Sequence, residues 1–284
     1  MNNTDINTHK KYLNVAEVLK NSDSKIIRHL PRFIIKILEK LIWQEQMNYV
    51  INKYIDNIGV SFQPQVIKEF NLTLDVSGIE NLPDKSRCFF VSNHPFGIID
   101  GLILTYYVGQ KYGDLKAIGN DAFLFVPNLR PLIAAVNVYG RSSKEYVIAL
   151  EEVYNSDVAI THFPAGEVSR IYNRKVQDLP WQKSFITKAV SSGRDIVPFY
   201  FEGKNSRLFY FIYRFRRTLG LKVNLELSLL PREMFKKRNK TIRIMIGKPI
   251  PWQRFDNSMT HNEWAQKVRE HVYKMGQSKE EIIF

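Results

Sequence analysis

The chain has 284 residues, of which 44% are hydrophobic and 24% charged, and this length predicts one or two globular domains. The composition excludes a disordered or collagen-like chain, and the single cysteine, Cys88, excludes a disulfide scaffold and a cysteine-clustered metal site. The net charge of +13 favours a polyanionic partner such as a membrane surface, a phosphorylated small molecule or a nucleic acid.

The first helical pattern lies in residues 24–42, where apolar side chains recur at steps of three and four with lysines and arginines between them. This spacing predicts an amphipathic helix, with Pro31 in its first turn or at a kink. Such a helix suits the plane of an anionic membrane or the surface of a protein core, and the pattern does not distinguish the two. A second helix is predicted over residues 44–57.

From residue 72 onward, short apolar stretches alternate with helical patterns. Strands are predicted at 72–76, 87–92, 115–119, 134–139, 158–163, 196–201 and 241–246. Helices are predicted at 99–111, 142–154, 181–191 and 260–275, the last with a capping box formed by Thr260 and Glu263. This alternation predicts the α/β class, with a mixed, largely parallel sheet flanked by helices.

We therefore expect two parts: an N-terminal helical, membrane-associating segment over residues 1–70, and an α/β domain with a C-terminal helix over residues 71–284. No run of about 18 apolar residues occurs, so no conventional membrane-spanning helix is predicted. The first twenty residues lack the continuous apolar core of a secretory signal. Together these observations predict a cytoplasmic location or the cytoplasmic face of a membrane.

Residues 204–243 form a basic aromatic segment, with twelve basic residues against two acidic ones and five aromatic residues interleaved in its first half. Aromatic and basic side chains together favour contact with a membrane surface. They also suit RNA, but no recognisable nucleic-acid-binding signature accompanies them, so we expect no nucleic acid partner. A solvated basic face over partly buried aromatic side chains explains the same composition.

Candidate catalytic residues lie in the stretch 91–101, which follows a buried strand and precedes a helix. Its polar side chains thus fall at the carboxyl end of a strand, where open α/β sheets hold their sites. A turn at Gly97 lets Asp100 face His94, and a carboxylate bonded to one ring nitrogen makes the other a general base. The alternative is a structural histidine that caps the following helix.

Three further stretches are informative: 136–141 and 163–170, which lie at the ends of predicted strands, and 197–203. The first ends in Arg141, a natural partner for a phosphate or a carboxylate. The second is a strand-end turn with three polar side chains, those of Glu167, Ser169 and Arg170. The third begins as an apolar strand with a proline near its start.

In this order and spacing, the four stretches resemble the glycerolipid (lysophospholipid) acyltransferase family, typified by 1-acyl-glycerol-3-phosphate acyltransferases. The family's Asn-His motif with a downstream Asp is matched by Asn93, His94 and Asp100, and its Gly-x-x-Phe-Ile-x-Arg block loosely by residues 135–141. Its Phe-Pro-Glu-Gly-Thr-Arg-Ser block is matched by Phe163, Pro164, Gly166 and Ser169, and its apolar block with a proline by Val197 and Pro198. The resemblance covers roughly residues 75–250.

The chain also departs from the family pattern. Five residues rather than four separate the histidine from the aspartate, and Ala165 and Val168 replace the Glu and Arg of the third block, with Glu167 and Arg170 as candidate substitutes two residues further on. These variants are similar to a subgroup of bacterial proteins labelled hemolysins, some of which O-acylate lyso forms of ornithine or glycine lipids. The resemblance therefore implies an acceptor other than glycerol 3-phosphate.

The resemblance implies direct acyl transfer from acyl-CoA or acyl carrier protein to the hydroxyl of a lyso-lipid, either a lyso-ornithine or lyso-glycine lipid or lysophosphatidic acid. His94 is the implied general base, Asp100 orients it, and no bound cofactor or metal is expected. The implied substrate-binding residues are Asn93, Gly97, Arg141, Gly166, Glu167, Ser169 and Arg170. Among them, the backbone amides at Gly97 and Gly166 are candidate oxyanion donors, and the two arginines are candidate partners for a head group.

The two basic regions, 24–42 and 204–243, then acquire a shared role, since both can hold the enzyme peripherally against the anionic inner leaflet. His162, inside an apolar strand, is predicted to be a packed histidine, and Cys88 a buried, inert thiol. Three other interpretations stay open: a non-catalytic membrane- or polyanion-binding protein on the same scaffold, an acyl-thioester hydrolase, and an RNA-binding protein.

Overall fold

The computed structural model describes residues 10–21, 28–136, 144–220, 224–278 and 282–284. Four helices precede the sheet: α1 (Val15–Lys20), α2 (Arg32–Leu41), α3 (Gln44–Lys53) and α4 (Phe62–Glu69). Pro31 stands directly before α2, where a residue without an N–H group costs no helical hydrogen bond. Residues 24–27 of the predicted amphipathic segment 24–42 lie outside the described residues. Among the described helices, none is both long and apolar enough to cross a bilayer.

A seven-stranded sheet forms the centre of the molecule, in the order β1-β9-β8-β2-β5-β3-β4. Its strands are β1 (Thr73–Ser77), β2 (Cys88–Ser92), β3 (Leu115–Asn120), β4 (Ile133–Val136), β5 (Ala159–His162), β8 (Asp195–Glu202) and β9 (Thr241–Ile246). Every neighbouring pair is parallel except β8 and β9, which are antiparallel. The predicted mixed, largely parallel sheet is therefore confirmed.

Helices cover both faces of this sheet. On one face, α5 (Ile98–Tyr112) packs with α4 in a core that includes Phe90, Leu115 and Phe199. On the other face, α6 (Lys144–Asn155), α7 (Ser184–Ser192) and α10 (His261–Met275) pack in a core that includes Phe89 and Ile196. Because adjacent residues of a strand point to opposite faces, the fully buried strand β2 contributes to both cores.

Several elements of the structure were absent from the sequence prediction, including the helices α1 and α4. A hairpin joins β6 (Arg170–Tyr172) to β7 (Lys175–Gln177), with Asn173 and Arg174 at positive φ in its two-residue turn. The basic aromatic segment contains α8 (Arg207–Thr218) and the short α9 (Leu230–Phe235). By contrast, the capping box that begins α10 at Thr260 is confirmed.

Candidate active site

The loop after β2 carries His94 at the edge of the sheet where the parallel strands β2, β5 and β8 end. Asn93, one residue earlier, is buried and extends the pairing of β2 with β8. Its side-chain Nδ2 donates to the Phe201 carbonyl at 3.0 Å, and its Oδ1 accepts from the Phe201 amide at 2.8 Å. Both polar atoms of the Asn93 side chain are therefore bonded inside the sheet, and its predicted role as a substrate-binding residue is corrected.

Asp100 lies fully buried in the first turn of α5 and is held by three backbone amides. Its Oδ2 accepts from Phe96 at 2.9 Å and from Gly97 at 3.2 Å, and its Oδ1 accepts from Gly101 at 3.0 Å. Gly97 has φ +91°, and a Cβ there would lie 2.8 Å from a methyl group of Leu230. The glycine thus permits the sharp turn that brings the carboxylate back toward the loop, and the helix N-terminus stabilises its negative charge.

His94 and Asp100 meet at this point, with Nδ1 of the ring 3.0 Å from Oδ1 of the carboxylate. The approach is too oblique for a well-aligned hydrogen bond, as is common before substrate binds. The ring stacks on Phe163, with centroids 3.9 Å apart and planes inclined by 23°. Since Nδ1 faces the carboxylate, Nε2 is the ring nitrogen that can accept a proton from a substrate.

The main chain of His94 is also anchored on both sides. Its N–H donates to Oδ1 of Asp178 at 3.2 Å, and its carbonyl accepts from the amide of Ser169 at 2.8 Å. The Ser169 hydroxyl donates to the same Asp178 oxygen at 2.5 Å. Ser169 is therefore engaged inside the protein, and Asp178 is a site residue that no sequence motif indicated, since it lies 84 residues from His94.

Arg170 lies away from the site, so its predicted role as a substrate-binding residue is corrected. Its guanidinium is buried, with NH2 3.1 Å from Oε1 of the fully buried Glu226. Arg216 binds the other oxygen of Glu226 at 2.9 Å, and the Arg170 guanidinium also lies 5.0 Å from the ring centroid of Phe209. Its charge is therefore neutralised in a structural ion pair instead of being available to a ligand.

A cavity of about 990 Å³ opens beside His94 and passes over the carboxyl ends of β5 and β3. The adjacent β3 residues Ala117 and Ile118 both line the cavity, although Ala117 packs with the core on one face of the sheet and Ile118 with the core on the other. The cavity therefore includes space on both faces of the sheet. The rest of the described lining is largely apolar and includes Leu102, Leu132, Phe163, Phe185, Leu227 and Leu230. Such a cavity suits an aliphatic chain.

The turn that contains the third family motif, residues 163–170 (the third-block turn), forms part of this cavity wall through Gly166 and Glu167. Gly166 has φ +68° and its amide donates to the Phe163 carbonyl at 2.9 Å, while the Gly97 amide donates to Asp100. Both amides predicted to bind an oxyanion are therefore already used. No lysine or arginine belongs to the described part of the lining, and Arg141 lies outside the described residues.

Two other reactive side chains are His162 on the cavity wall and Cys88 at the far end of β2. Burial, together with the nearby His94, lowers the pKa of His162 to about 4, so this packed histidine on the cavity wall stays neutral. Burial raises the pKa of Cys88 to about 12, and the residue starts β2 at the edge of the sheet opposite His94. Its thiol is therefore unsuited to act as a nucleophile, as the sequence predicted.

A His–Asp pair lies at the carboxyl edge of a largely parallel sheet and opens on an apolar cavity, an arrangement that suits an enzyme acting on substrates with apolar chains. The chain belongs to the acyltransferase family, whose sequence model matches residues 17–281. The resemblance carried by the four sequence motifs is thus confirmed for the family, and the protein is an acyltransferase. The interpretation of the scaffold as non-catalytic is set aside.

Two curated proteins named lyso-glycine lipid O-acyltransferase are similar to nearly the whole chain. The protein from Phocaeicola vulgatus is 37% identical over 264 residues, which are 93% of this chain and 95% of that protein. The protein from Bacteroides thetaiotaomicron is 38% identical over 264 residues, covering 93% and 97%. Among solved structures, the 1-acyl-sn-glycerophosphate acyltransferase PlsC from Thermotoga maritima superposes on this chain with a TM-score of 0.52 at 18% identity. The match covers 87% of this chain and 98% of PlsC, so the two proteins share a fold.

Proposed function

We propose that this acyltransferase moves a fatty acyl group from acyl-CoA or acyl carrier protein to the hydroxyl of a lyso-lipid, with lyso-glycine lipid as the acceptor. The 3.0 Å contact between His94 Nδ1 and Asp100 Oδ1, on the wall of an apolar cavity, is the observation that carries the proposal. The names of the relatives from Phocaeicola vulgatus and Bacteroides thetaiotaomicron support the choice of acceptor.

In this reaction, Nε2 of His94 removes the proton from the acceptor hydroxyl while the oxygen attacks the thioester carbonyl carbon. Asp100 holds the ring through Nδ1 and stabilises the imidazolium that forms. The new carbon–oxygen bond replaces the carbon–sulfur bond, and the donor thiolate leaves with the proton that His94 returns. No acyl-enzyme is required, which agrees with the raised pKa of Cys88.

The oxyanion that develops on the thioester needs a hydrogen-bond donor near His94. Within the described part of the chain, the amide of Glu167 donates to no protein acceptor, and Glu167 lies on the cavity wall directly after Gly166. The positive φ of Gly166 turns the chain at this point. We assign the Glu167 N–H as the candidate donor to the oxyanion.

The charge of the cavity wall supports an acceptor without a phosphate. Its described lining contains Glu167 but no lysine or arginine, and Arg170 is committed to Glu226. A phosphate such as that of lysophosphatidic acid would be desolvated there without a pairing cation from the described lining. A smaller head group on the lyso-lipid makes less demand for positive charge.

Exposed apolar side chains support docking on the inner face of a membrane. Along α8, Phe211 and Phe215 stack on each other and are 63% and 54% exposed, and Leu208 and Leu219 extend the same stripe. On α2, Phe33 is similarly exposed. Arg207, Arg214 and Arg217 lie exposed on α8 beside the apolar stripe. This pairing of apolar and basic side chains suits an anionic lipid surface.

The two helices share one apolar cluster, and residues of that cluster also line the cavity. Leu41, the last residue of α2, packs against the buried cluster that contains Phe209 and Tyr210 of α8. Leu227 and Leu230, which follow α8 along the chain, belong to that contact cluster and also line the cavity. A membrane bound to these helices would deliver a lipid close to the cavity entrance.

Co-sedimentation with anionic phospholipid vesicles tests the docking surface. We expect wild type to bind at low salt, and the variant Phe211→Ser/Phe215→Ser to bind at least about 10-fold more weakly, because about 2–3 kcal/mol of apolar burial is lost. The matched control is Val147→Ser/Ile148→Ser on α6, which also removes two exposed apolar side chains. Equal loss in both variants, or binding to RNA without binding to vesicles, would contradict the proposal.

Acylation of a panel of lyso-lipids tests the reaction itself. The panel contains lyso-glycine lipid, lyso-ornithine lipid and lysophosphatidic acid, each with acyl-CoA and with acyl carrier protein as donor. We expect product with lyso-glycine lipid and a loss of at least about 100-fold in His94→Ala. His261→Ala, which removes a histidine bonded to Thr187 instead, is the control. Thioester loss without acylated product would indicate a hydrolase instead.

A further inference from the structure

Asp178, a buried aspartate outside all four sequence motifs, joins the two loops that meet at His94. Its Oδ1 accepts from the main-chain N–H of His94 at 3.2 Å and from the Ser169 hydroxyl at 2.5 Å. Its Oδ2 accepts from Nε1 of the buried Trp181 at 3.0 Å. Burial raises the pKa of this carboxyl group, and the three donors act against that shift.

These contacts close a small ring around the histidine main chain. His94 donates to Asp178, the Ser169 amide donates to the His94 carbonyl, and the Ser169 hydroxyl donates back to Asp178. Both polar groups of the His94 main chain are thereby fixed to residues that follow β5 in sequence. The side chain of His94, in contrast, is held by Asp100 and by the ring of Phe163.

Asp178 is itself fixed by the C-terminal helix α10. Its N–H donates to the hydroxyl of Tyr273 at 2.8 Å, and its carbonyl accepts from Arg269 at 2.8 Å. Three residues later, the main chain of Trp181 exchanges two hydrogen bonds with the side-chain amide of Gln266. The carboxylate therefore projects from a main chain that a long helix holds in place on both sides.

We propose that Asp178 is a positioning residue for acyl transfer, which places Nε2 of His94 at the reacting hydroxyl by fixing the His94 main chain. The inference rests on the proposed role of His94 as general base. Displacement of a catalytic group by about 1 Å costs about 100-fold in rate, because proton transfer requires hydrogen-bond distance. Substrate affinity depends on the cavity instead, so the effect belongs to kcat.

The kinetic test compares Asp178→Ala, Asp178→Asn and the matched control Asp195→Ala. Asp195 is also a buried aspartate that accepts from a main-chain amide, that of Trp252 at 3.0 Å, but it starts β8 at the opposite edge of the sheet. We expect Asp178→Ala to lower kcat about 30- to 100-fold with KM for donor and acceptor within about 3-fold. Asp178→Asn keeps an oxygen acceptor for the His94 N–H, so its kcat is expected to stay within about 10-fold of wild type.

Three kinetic results would overturn the proposal: an equal loss of kcat in Asp178→Ala and Asp195→Ala, a loss carried by KM, or no recovery in Asp178→Asn. Rates are compared per mole of folded protein, measured by circular dichroism at the assay temperature. A merely structural aspartate lowers the folded fraction and leaves kcat of the remaining folded molecules unchanged.

A second readout needs no turnover. The His94 ring lies 3.9 Å from the Phe163 ring, so its carbon-bound protons carry a ring-current shift in the NMR spectrum, identified by its absence in His94→Ala. We expect Asp178→Ala to change this shift and Asp195→Ala to leave it unchanged. An unchanged shift in Asp178→Ala would overturn the proposal. Failure of wild type to acylate any acceptor would instead count against the proposed function, while the NMR result still tests Asp178.

Discussion

Replacement of Asp100 by asparagine separates the charge of this residue from its shape. In wild type, Oδ2 accepts from the amides of Phe96 and Gly97, and Oδ1 accepts from Gly101 and faces Nδ1 of His94. Hydrogen-bond donors therefore surround the carboxylate on both sides. Asparagine has one oxygen, so its NH2 group must turn toward one of these two sides.

The two orientations differ in cost. An NH2 group facing Phe96 and Gly97 leaves two buried amides without an acceptor, at about 1–3 kcal/mol each, whereas the other orientation leaves only the Gly101 amide. The second is therefore favoured, and there the NH2 donates to Nδ1 of His94. The ring proton then moves to Nε2, which can no longer accept a proton from substrate. We expect kcat to fall about 10³- to 10⁴-fold, as when the triad aspartate of a serine protease becomes asparagine.

The assay is steady-state acylation of lyso-glycine lipid, with urea unfolding as the measure of stability. Asp100→Asn is expected to lose about 1–3 kcal/mol of unfolding free energy, for the single unpaired amide, and to remain folded. Asp114→Asn, a substitution of an exposed aspartate just after α5, is the control. The double variant with His94→Ala should be no slower than His94→Ala alone, because the two residues act as a unit. A folded Asp100→Asn enzyme within about 10-fold of wild type would refute the reasoning.

Three further predictions concern buried groups. Glu226→Gln leaves the guanidinium groups of Arg170 and Arg216 without their counter-charge. Urea unfolding should therefore show that the free energy of unfolding falls by about 3–5 kcal/mol. A fall of less than about 1 kcal/mol would contradict a stabilising ion pair. In the folded protein the pKa of His162 is lowered to about 4, whereas in the unfolded chain it is about 6.5. As the pH falls below about 6.5, the unfolded chain therefore binds a proton that the folded protein does not. The free energy of unfolding should decrease by up to about 3 kcal/mol between pH 6.5 and 4. His162→Asn should flatten that part of the profile, and an unchanged profile would count against the burial. Cys88→Ala should keep acylation within about 3-fold, since its thiol takes no part; abolished turnover in folded protein would point to an acyl-enzyme.

The sequence predicted the sheet well because its signals are local. The apolar runs of β2, β5 and β8 are buried on both faces, and such runs stand out from the flanking polar turns. The hairpin of β6 and β7 was missed because its strands have three residues each and its turn uses Asn173 and Arg174 in place of a glycine. Helix α8 was missed because aromatic residues lie on its buried and exposed faces alike, which obscures the apolar periodicity.

In the candidate site, too, contacts between residues close in sequence could be predicted, and contacts that depend on the complete fold could not. His94 and Asp100 could be paired from the sequence because one short loop and one helix turn bring them together. The partners of Ser169 and Arg170 could not, since only the complete fold brings Asp178 to the first and Glu226, 56 residues away, to the second. Polar residues in a motif-like turn look alike in sequence whether they face a ligand or a buried partner.

The fold explains how this chain accommodates two of its departures from the family pattern. The extra residue between His94 and Asp100 does not lengthen their contact, because Gly97 turns the loop at φ +91° and Asp100 still falls in the first turn of α5. The carboxylate at the helix N-terminus thus faces the ring despite the extra residue. Val168, in the position of the family arginine, is buried with Phe209 and Leu229, where a guanidinium would need its own counter-charge.

The loss of that arginine and the pairing of Arg170 with Glu226 have the same consequence for the acceptor. Each withdraws a cation from the third-block turn, and the described cavity wall contains none to replace them. Under the proposed function, recognition of the acceptor then depends on apolar contact along the cavity and on the approach of its hydroxyl to His94. A lyso-lipid with a small head group meets those conditions better than a phosphate-bearing one, so acceptor choice should follow from the third-block turn while the chemistry follows from the His94 loop.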